Sequence, residues 1–298
     1  MSKIPSYLKN YDRFYQQDPH QAALKWFEEA KFGLFLHYGL YSLLGRGEWV
    51  MYNEKIHVKK KKKLKDKFTA ENFDAEYIAD LAVAAGMKYI NLTTRHCDSF
   101  CLFETEETDF NSVNSAAGRD LVVELAQACQ NRNLGLFFYY IYGADWRHPY
   151  FHSREAGVSC ARPDYDDEEP AYLYQNDEDF KHYINFVHNQ LRELLTNYGS
   201  IAGIWFDLIS DYYYRPDLYP VEETYQLIRE LQPQCLISFK QGVTGDEDYM
   251  SQEREFVPLK KRLREGGASK KAVKLSEKAW QLNKYKWNEI CTVMQDKG

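Results

Sequence analysis

The sequence predicts an α/β fold in the form of a (β/α)8-like barrel. Apolar runs without strict alternation indicate strands that are buried on both faces. Amphipathic helical segments separate these runs, so the strands run parallel and are joined by right-handed crossovers. Polar and titratable residues follow the strands at their carboxyl ends, where barrel enzymes place their active sites. We expect the barrel to be irregular and to lack its last β/α unit or units.

The predicted strands each contain a nearly continuous apolar core. They are FGLFLHYG (32–39), KYINLTTRH (88–96), LGLFFYYIYG (134–143), IAGIWFDL (201–208) and the shorter CLISFK (235–240). The predicted helices have apolar residues at helical spacing, and two of them end before a glycine, which favours a helix terminus. They cover residues 75–85, 121–130 and 180–198.

A doubly wound sheet is the alternative to a barrel. No Gly-x-Gly-x-x-Gly follows the first strand, so the dinucleotide-binding form of that fold is disfavoured. The titratable residues at the strand ends favour the barrel instead. They are His37, the segment 95–98 (RHCD), Asp145 and Asp207.

Composition narrows the class of protein. The chain has 298 residues, of which 44% are hydrophobic and 28% charged, as in a soluble globular protein. The formal net charge of −6 disfavours nucleic-acid binding. No window approaches the ~18 consecutive apolar residues of a membrane span. The first residues lack the apolar stretch of a secretory signal, so we expect a cytoplasmic protein and leave secretion or a periplasmic location open.

The apolar strand GIWFDL ends in a carboxylate, Asp207. A buried carboxylate must be paired or used chemically, and without further information a helix-capping role is an equal alternative. Two facing carboxyl groups are the equipment for glycoside hydrolysis. The acidic candidates for the second group, all downstream, are Glu247, Asp248, Glu253 and Glu255. Aromatic residues make up 16% of the chain and suit the packing of sugar rings.

Six motifs, taken together and in order, resemble the α-L-fucosidases of glycoside hydrolase family 29. They are WFEEAKFGLFLHYGLYS (26–42), GRGEWVMYNEKI (45–56), AGMKYINLTTRHCDSFCLF (85–103), SAAGRDLVVELAQAC (115–129), DWRHPYF (145–151) and YGSIAGIWFD (198–207).

The resemblance implies a retaining, double-displacement mechanism that needs no metal and no organic cofactor. It assigns Asp207 as the nucleophile. Glu253, in the context DYMSQE, is the implied acid/base residue, and Glu247 is the fallback.

The resemblance also implies a set of sugar contacts. Cys97 stands where the family pattern has a second histidine. Lys240 stands where the pattern has an arginine, so a planar guanidinium that can donate two parallel hydrogen bonds is replaced by a single ammonium group. Leu208 replaces the glycine after the nucleophile. The predicted substrate-binding residues from the resemblance are His37, Glu48, Trp49, His96, Cys97 and Lys240. Tyr140 is added from its place on the third strand, from which Tyr139, Tyr140 and Tyr142 are expected to line the site, with core packing an equal alternative for at least one of them.

The expected organisation is a single glycosidase domain over residues 1–298, without the end of the barrel and without the β-sandwich that often follows it. The expected substrate is a terminal α-L-fucoside of an oligosaccharide or glycoconjugate. Two alternatives stay open. One is a fucose-binding barrel with impaired turnover, and the other is a glycosidase for a related sugar configuration. The sequence does not define the linkage, the aglycone or the oligomeric state.

Overall fold

The computed structural model describes residues 4–253 and 258–292, and for Glu253 it describes the backbone only. Five strands form one parallel sheet in sequential order, and they coincide with the five predicted runs, which confirms those predictions. They are β1 (Gly33–Leu36), β2 (Tyr89–Arg95), β3 (Gly135–Ile141), β4 (Gly203–Asp207) and β5 (Leu236–Phe239). Two further strands, β6 (Met250–Glu253) and β7 (Asn288–Cys291), form a parallel pair.

Helices connect and cover the strands. The α-helices are α1 (Asp12–Gln17), α2 (Pro19–Ala30), α3 (Val50–Asn53), α4 (Val58–Lys62), α5 (Ala75–Ala84), α6 (Leu121–Arg132), α7 (Phe180–Asn197), α8 (Ile209–Tyr214), α9 (Val221–Leu231), α10 (Leu259–Glu265) and α11 (Lys270–Asn283). Short 3-10 helices cover Ser6–Tyr11, Leu40–Leu43, Lys63–Lys67, Ser159–Ala161 and Asp177–Asp179. The three predicted helices correspond to α5, α6 and α7. Of the helices described, none has the length and apolarity that a membrane crossing requires.

Local capping explains where two of these helices begin. The Asp74 carboxylate accepts the Tyr77 amide at 2.9 Å before α5. The Asp120 carboxylate accepts the amides of Val122 and Val123 at 3.0 and 2.9 Å before α6. Each aspartate satisfies amide groups that have no partner within the helix, which stabilises a helix by about 1 kcal/mol.

The strands curve around a common interior. Beyond β5, the sheet continues into β6, because the Ser251 amide donates to the Lys240 carbonyl at 2.9 Å. On β7, Glu289 accepts hydrogen bonds from Tyr89 on β2 and Trp205 on β4. A side chain on β7 can reach both the second and the fourth strand only if the strands curve around a shared interior. The barrel prediction is therefore confirmed.

Each strand places alternate side chains on opposite faces. On β3, Phe137 and Tyr139 point into the barrel interior, whereas Phe138 and Tyr140 pack against the surrounding helices. All four are at most 1% exposed. Burial on both faces accounts for the unbroken apolar run in the sequence, and each such side chain contributes about 1.5–3 kcal/mol to folding. The single-domain organisation stays a prediction.

Candidate active site

Asp207 ends β4 at the carboxyl end of the barrel, and three groups hold its carboxylate. The Tyr139 hydroxyl donates to Oδ2 at 2.7 Å. The Leu208 amide donates to Oδ1 at 2.6 Å, and Lys240 Nζ lies 2.9 Å from the same oxygen. The side chain retains 14% of its exposure, so it can still meet a ligand.

These contacts keep Asp207 ionised. Burial alone would raise the pKa of its carboxyl group, but the Lys240 ammonium and the Tyr139 hydrogen bond outweigh burial and lower the pKa to about 2. Asp207 makes no side-chain capping bond to α8. The helix-capping alternative is therefore not supported, and the carboxylate is available as a nucleophile.

The backbone just after Asp207 is tightly constrained. Leu208 adopts a left-handed conformation with φ of 58°, which costs a non-glycine residue about 1 kcal/mol or more. Its carbonyl oxygen lies so close to Gly143 that a Cβ at position 143 would be 2.0 Å away. Only glycine fits at position 143, and the Gly143 amide donates to the Asp207 carbonyl at 3.1 Å. The ends of β3 and β4 are thereby joined beside the carboxylate.

Two histidines stand next to Tyr139. His37 and His96 have ring centroids 5.7 Å apart, and His96 stacks on Tyr139 at 5.5 Å with an angle of 11° between the rings. Burial lowers the pKa of His96 to about 4, so its ring is neutral at pH 7. Among the described residues, no group bonds its Nδ1 atom. That Nδ1 atom is itself buried, so the contact of His96 with a sugar stays a prediction.

The GEW segment reaches the histidines through aromatic contacts. Trp49 lies 5.3 Å from Trp146, and Trp146 lies 6.4 Å from His96, measured between ring centroids. Glu48 is half-buried, and its charge acts on the exposed side chain of His37. The structure therefore gathers four predicted sugar contacts, His37, Glu48, Trp49 and His96, in one group beside Tyr139 and Trp146.

A cavity of about 770 Å³ opens at Asp207. Asp207, Leu208 and Lys240 line it together with α10, the segment 154–160 and two residues of β6, Ser251 and Gln252. The lining combines apolar, basic and acidic groups, and neither of the two histidines is part of it. This volume lies within the range of ligand pockets. Within residues 4–253 and 258–292, no three histidine, cysteine, aspartate or glutamate side chains converge as metal ligands.

The sequence model of the α-L-fucosidase family matches residues 4–294, which is almost the whole chain. The chain belongs to the α-L-fucosidase family. Human plasma α-L-fucosidase is 34% identical over 165 residues, a match that covers 47% of this chain and 35% of the human protein. The tissue α-L-fucosidase of Rattus norvegicus is 35% identical over 144 residues, covering 43% of this chain and 31% of that protein. The chain thus spans about a third of the length of these curated relatives.

Solved structures of the family resemble this fold. The α-L-fucosidase AlfC of Lactobacillus casei, in complex with its α-L-fucose product, superposes with a TM-score of 0.68 at 30% identity. That match covers 79% of this chain and 74% of AlfC. Isoenzyme 1 of Paenibacillus thiaminolyticus superposes with a TM-score of 0.65 at 35% identity and covers 80% of this chain and 57% of that one.

Two of the predicted sugar contacts of this fucosidase-family chain lie elsewhere in the structure. Tyr140 is fully buried on the outer face of β3, where its hydroxyl donates to Gln190 at 2.8 Å. Strand alternation points Tyr139 into the site instead. Cys97 is also fully buried in the barrel interior, and burial raises the pKa of its thiol well above the usual value. Neither side chain has surface for a sugar, so the structure contradicts both assignments.

The acid/base prediction divides into two outcomes. Glu247, the fallback, is 1% exposed, and its carboxylate accepts four or more hydrogen bonds, among them from Tyr225 at 2.9 Å and Asn283 at 3.1 Å. It stabilises the loop before β6, so the structure contradicts the fallback. For Glu253 the backbone lies in β6, and its side chain lies outside the described residues. Its acid/base role stays a prediction.

Lys240, one of the predicted sugar contacts, lies against Asp207. Besides the ion pair with Asp207, its Nζ lies 4.1 Å from the centroid of the Trp205 ring. The fully buried Trp205 and the β7 carboxylate of Glu289 belong to the site although the sequence reasoning did not single them out. The signal for Trp205 is its position two residues before Asp207, which places both on one strand face.

One lysine of the run 59–63, Lys61, is buried in an ion pair close to the site. Lys61 is only 1% exposed, and its Nζ lies 3.1 Å from Oδ2 of Asp98, which is equally buried. The run is therefore not wholly the solvated face that isolated charge runs usually form. Because Asp98 lies two residues after His96, this buried ion pair holds the segment that carries a predicted sugar contact.

Replacing Lys61 by methionine is expected to lower the free energy of unfolding by about 3–5 kcal/mol, because Asp98 is left as an unpaired buried charge. Urea denaturation followed by circular dichroism measures the change. Lys60→Met is the matched control, since Lys60 is exposed on the same helix and its loss should change stability by about 0.5 kcal/mol or less. Equal stability of the two variants would show that the ion pair does not hold this segment.

Proposed function

We propose that this chain hydrolyses terminal α-L-fucosides with retention of configuration and uses Asp207 as its nucleophile. The observation that carries the proposal is the ionised carboxylate of Asp207 at the mouth of the barrel. Tyr139 and Lys240 bind it, and the histidines His37 and His96 lie beside Tyr139. Membership of the α-L-fucosidase family supports the sugar. No other part of the described chain combines these groups at a strand end.

The chemistry proceeds in two displacements. Asp207 attacks the anomeric carbon while the bond to the aglycone oxygen breaks, and that oxygen takes a proton from the acid/base residue, which we assign to Glu253. The fucosyl ester on Asp207 is then attacked by water, whose proton returns to Glu253, and the free carboxylate is released. Two displacements at one carbon restore the starting configuration.

The histidine group and the cavity suit the two parts of such a substrate. The fucose ring lies toward His37, His96 and Trp49, where imidazole nitrogens meet hydroxyls and an indole packs against the apolar ring face. The aglycone extends into the cavity of about 770 Å³, which has room beyond a single sugar. The substrate is therefore a fucosylated oligosaccharide or glycoconjugate.

The test is hydrolysis of 4-nitrophenyl α-L-fucoside, followed by proton NMR of the sugar first released. We expect α-L-fucose before mutarotation, since retention is required by a covalent intermediate. A panel of aryl glycosides with galactose and other deoxy-sugar configurations measures selectivity. Preference for another sugar would overturn the substrate assignment. Fucose binding without any turnover would overturn the hydrolase assignment and favour a binding barrel.

A further inference from the structure

A single tryptophan lies beneath both side chains that hold Asp207. Trp205 on β4 is fully buried in the barrel interior. The ring of Tyr139 stacks on it, with centroids 5.5 Å apart and an angle of 26° between the planes. The Lys240 ammonium lies over its face at 4.1 Å from the centroid, within the range of a cation–π contact. The position of this indole therefore determines where the hydroxyl and the ammonium can stand.

The carboxylate of Glu289 on β7 holds the indole in place. The indole N–H of Trp205 donates to Oε2 of Glu289 on β7 at 2.8 Å, and the Tyr89 hydroxyl donates to Oε1 at 2.7 Å. An indole has one donor, so this bond fixes the rotation of the ring within its pocket. Glu289 is half-buried, and withdrawing a carboxylate from water costs free energy unless it is hydrogen-bonded, which these two donors achieve.

We propose that Glu289 is a positioning residue for the nucleophile, acting through Trp205 on Tyr139 and Lys240. This inference rests on the proposed role of Asp207. Glu289 touches neither Asp207 nor Tyr139 directly in the contacts described. Beside the Coulombic interaction of its charge with Lys240, its effect on the reaction passes through the indole, which contacts Tyr139, Lys240 and Glu289 itself. Loss of the anchor lets the indole rotate and separates the ammonium from the carboxylate.

A direct chemical role in the reaction is the competing explanation for a half-buried glutamate near the site. The structure favours positioning, because both carboxylate oxygens of Glu289 accept hydrogen bonds. One of the donors, Tyr89, is the first residue of β2 and therefore lies at the end of that strand away from the active site. A general acid instead needs a proton aimed at the leaving oxygen. The two roles predict different kinetics, and a chemical rescue experiment separates them.

The experiment compares three variants with the wild-type protein. Glu289→Leu removes the acceptor at similar size, Glu289→Gln keeps an acceptor oxygen for the indole, and Tyr89→Phe removes only the other donor. Kinetics with 4-nitrophenyl α-L-fucoside are recorded from pH 3 to pH 8. We expect Glu289→Leu to lower kcat at least tenfold with KM within threefold, and to show an acid limb that the wild-type protein lacks. Glu289→Gln and Tyr89→Phe should stay within threefold of wild type at all pH values.

A second readout does not depend on turnover. In protein labelled with 15N-tryptophan, the indole signal of Trp205 is assigned by its absence from Trp205→Phe. A hydrogen bond to a carboxylate moves the indole proton downfield, so this signal should move upfield in Glu289→Leu and stay nearer its position in Tyr89→Phe. Thermal unfolding of each variant shows that the fold is retained.

Three results would overturn the inference. Glu289→Leu with wild-type kinetics and a shifted indole signal would show that the anchor does not matter for Asp207. An unshifted indole signal would show that the bond does not form. Glu289→Gln that loses turnover and regains it with azide would make Glu289 the general acid itself. If the wild-type protein hydrolyses no fucoside, the proposed function fails, and the anchor is then judged on the indole signal alone.

Discussion

Replacing Asp207 by alanine is expected to lower the turnover of 4-nitrophenyl α-L-fucoside by about 10⁴-fold or more. The side chain is the only group in the described site whose carboxylate is both held ionised and left partly open at the mouth, and alanine cannot form the fucosyl ester. Initial rates of nitrophenol release, measured at saturating substrate, give the loss in kcat. Thermal unfolding checks that the variant remains folded.

Asp217→Ala is the matched control, because the Asp217 side chain is 63% exposed and lies outside the site. It should keep wild-type turnover. Azide provides a second check, since a small anion can enter the space left in Asp207→Ala and attack the anomeric carbon in a single displacement. We expect β-L-fucosyl azide, of inverted configuration. Residual turnover within tenfold of wild type would rule out Asp207 as the nucleophile.

Replacing Lys240 by methionine is expected to bring the ionisation of Asp207 into the measurable pH range. The pKa of Asp207 is about 2 in the wild-type protein, so its ionised form persists above that value. Removing the ammonium leaves burial, which raises the pKa, and an opposite charge at this distance is worth about 1–3 pKa units. The acid limb of kcat/KM should therefore appear as pH falls from about 5 to 3 in the variant. A pH–rate profile measures it.

The same ion pair has a defined sign in stability. The folded-state pKa of Asp207 lies below its unfolded value, so the pair stabilises the protein above the unfolded pKa and the contribution is lost as pH falls through about 2. Lys240→Met removes that contribution at neutral pH, and urea denaturation measures the loss. Lys240→Arg keeps the charge and is the control, with no acid limb above pH 4. Identical profiles for the methionine and arginine variants would contradict the assignment of Lys240 to the nucleophile.

The predictable part of this fold follows from burial on two faces. The runs that became β1 to β5 are apolar throughout, so their position could be found without a partner sequence. The strands β6 and β7 are short and carry polar residues such as Gln252 and Glu289, because they lie where the barrel interior itself is polar. Such a pattern is a weaker signal for a strand than an unbroken apolar run, and only the structure shows that Glu289 faces Trp205.

The sequence indicated which residues lie near the site, but it did not show which way their side chains point. Asp207 and His96 could be found because functional groups follow strand ends. Tyr139 and Tyr140 are adjacent tyrosines, and choosing between them requires the register of β3 against β4, which pairs Tyr139 with Trp205. Glu247 has the residue type of an acid/base group, but its role in a loop depends on amide groups that no local pattern identifies.

The groups that hold Asp207 and the residues that line the cavity come from different kinds of segment. The groups that hold Asp207 lie in a strand or directly after one, so a change in any one of them disturbs the ends of the sheet. The cavity is lined largely by α10 and the segment 154–160, together with Ser251 and Gln252 of β6. Substitutions in α10 and in the segment 154–160 can therefore change what the cavity accepts while the contacts of Asp207 stay as they are.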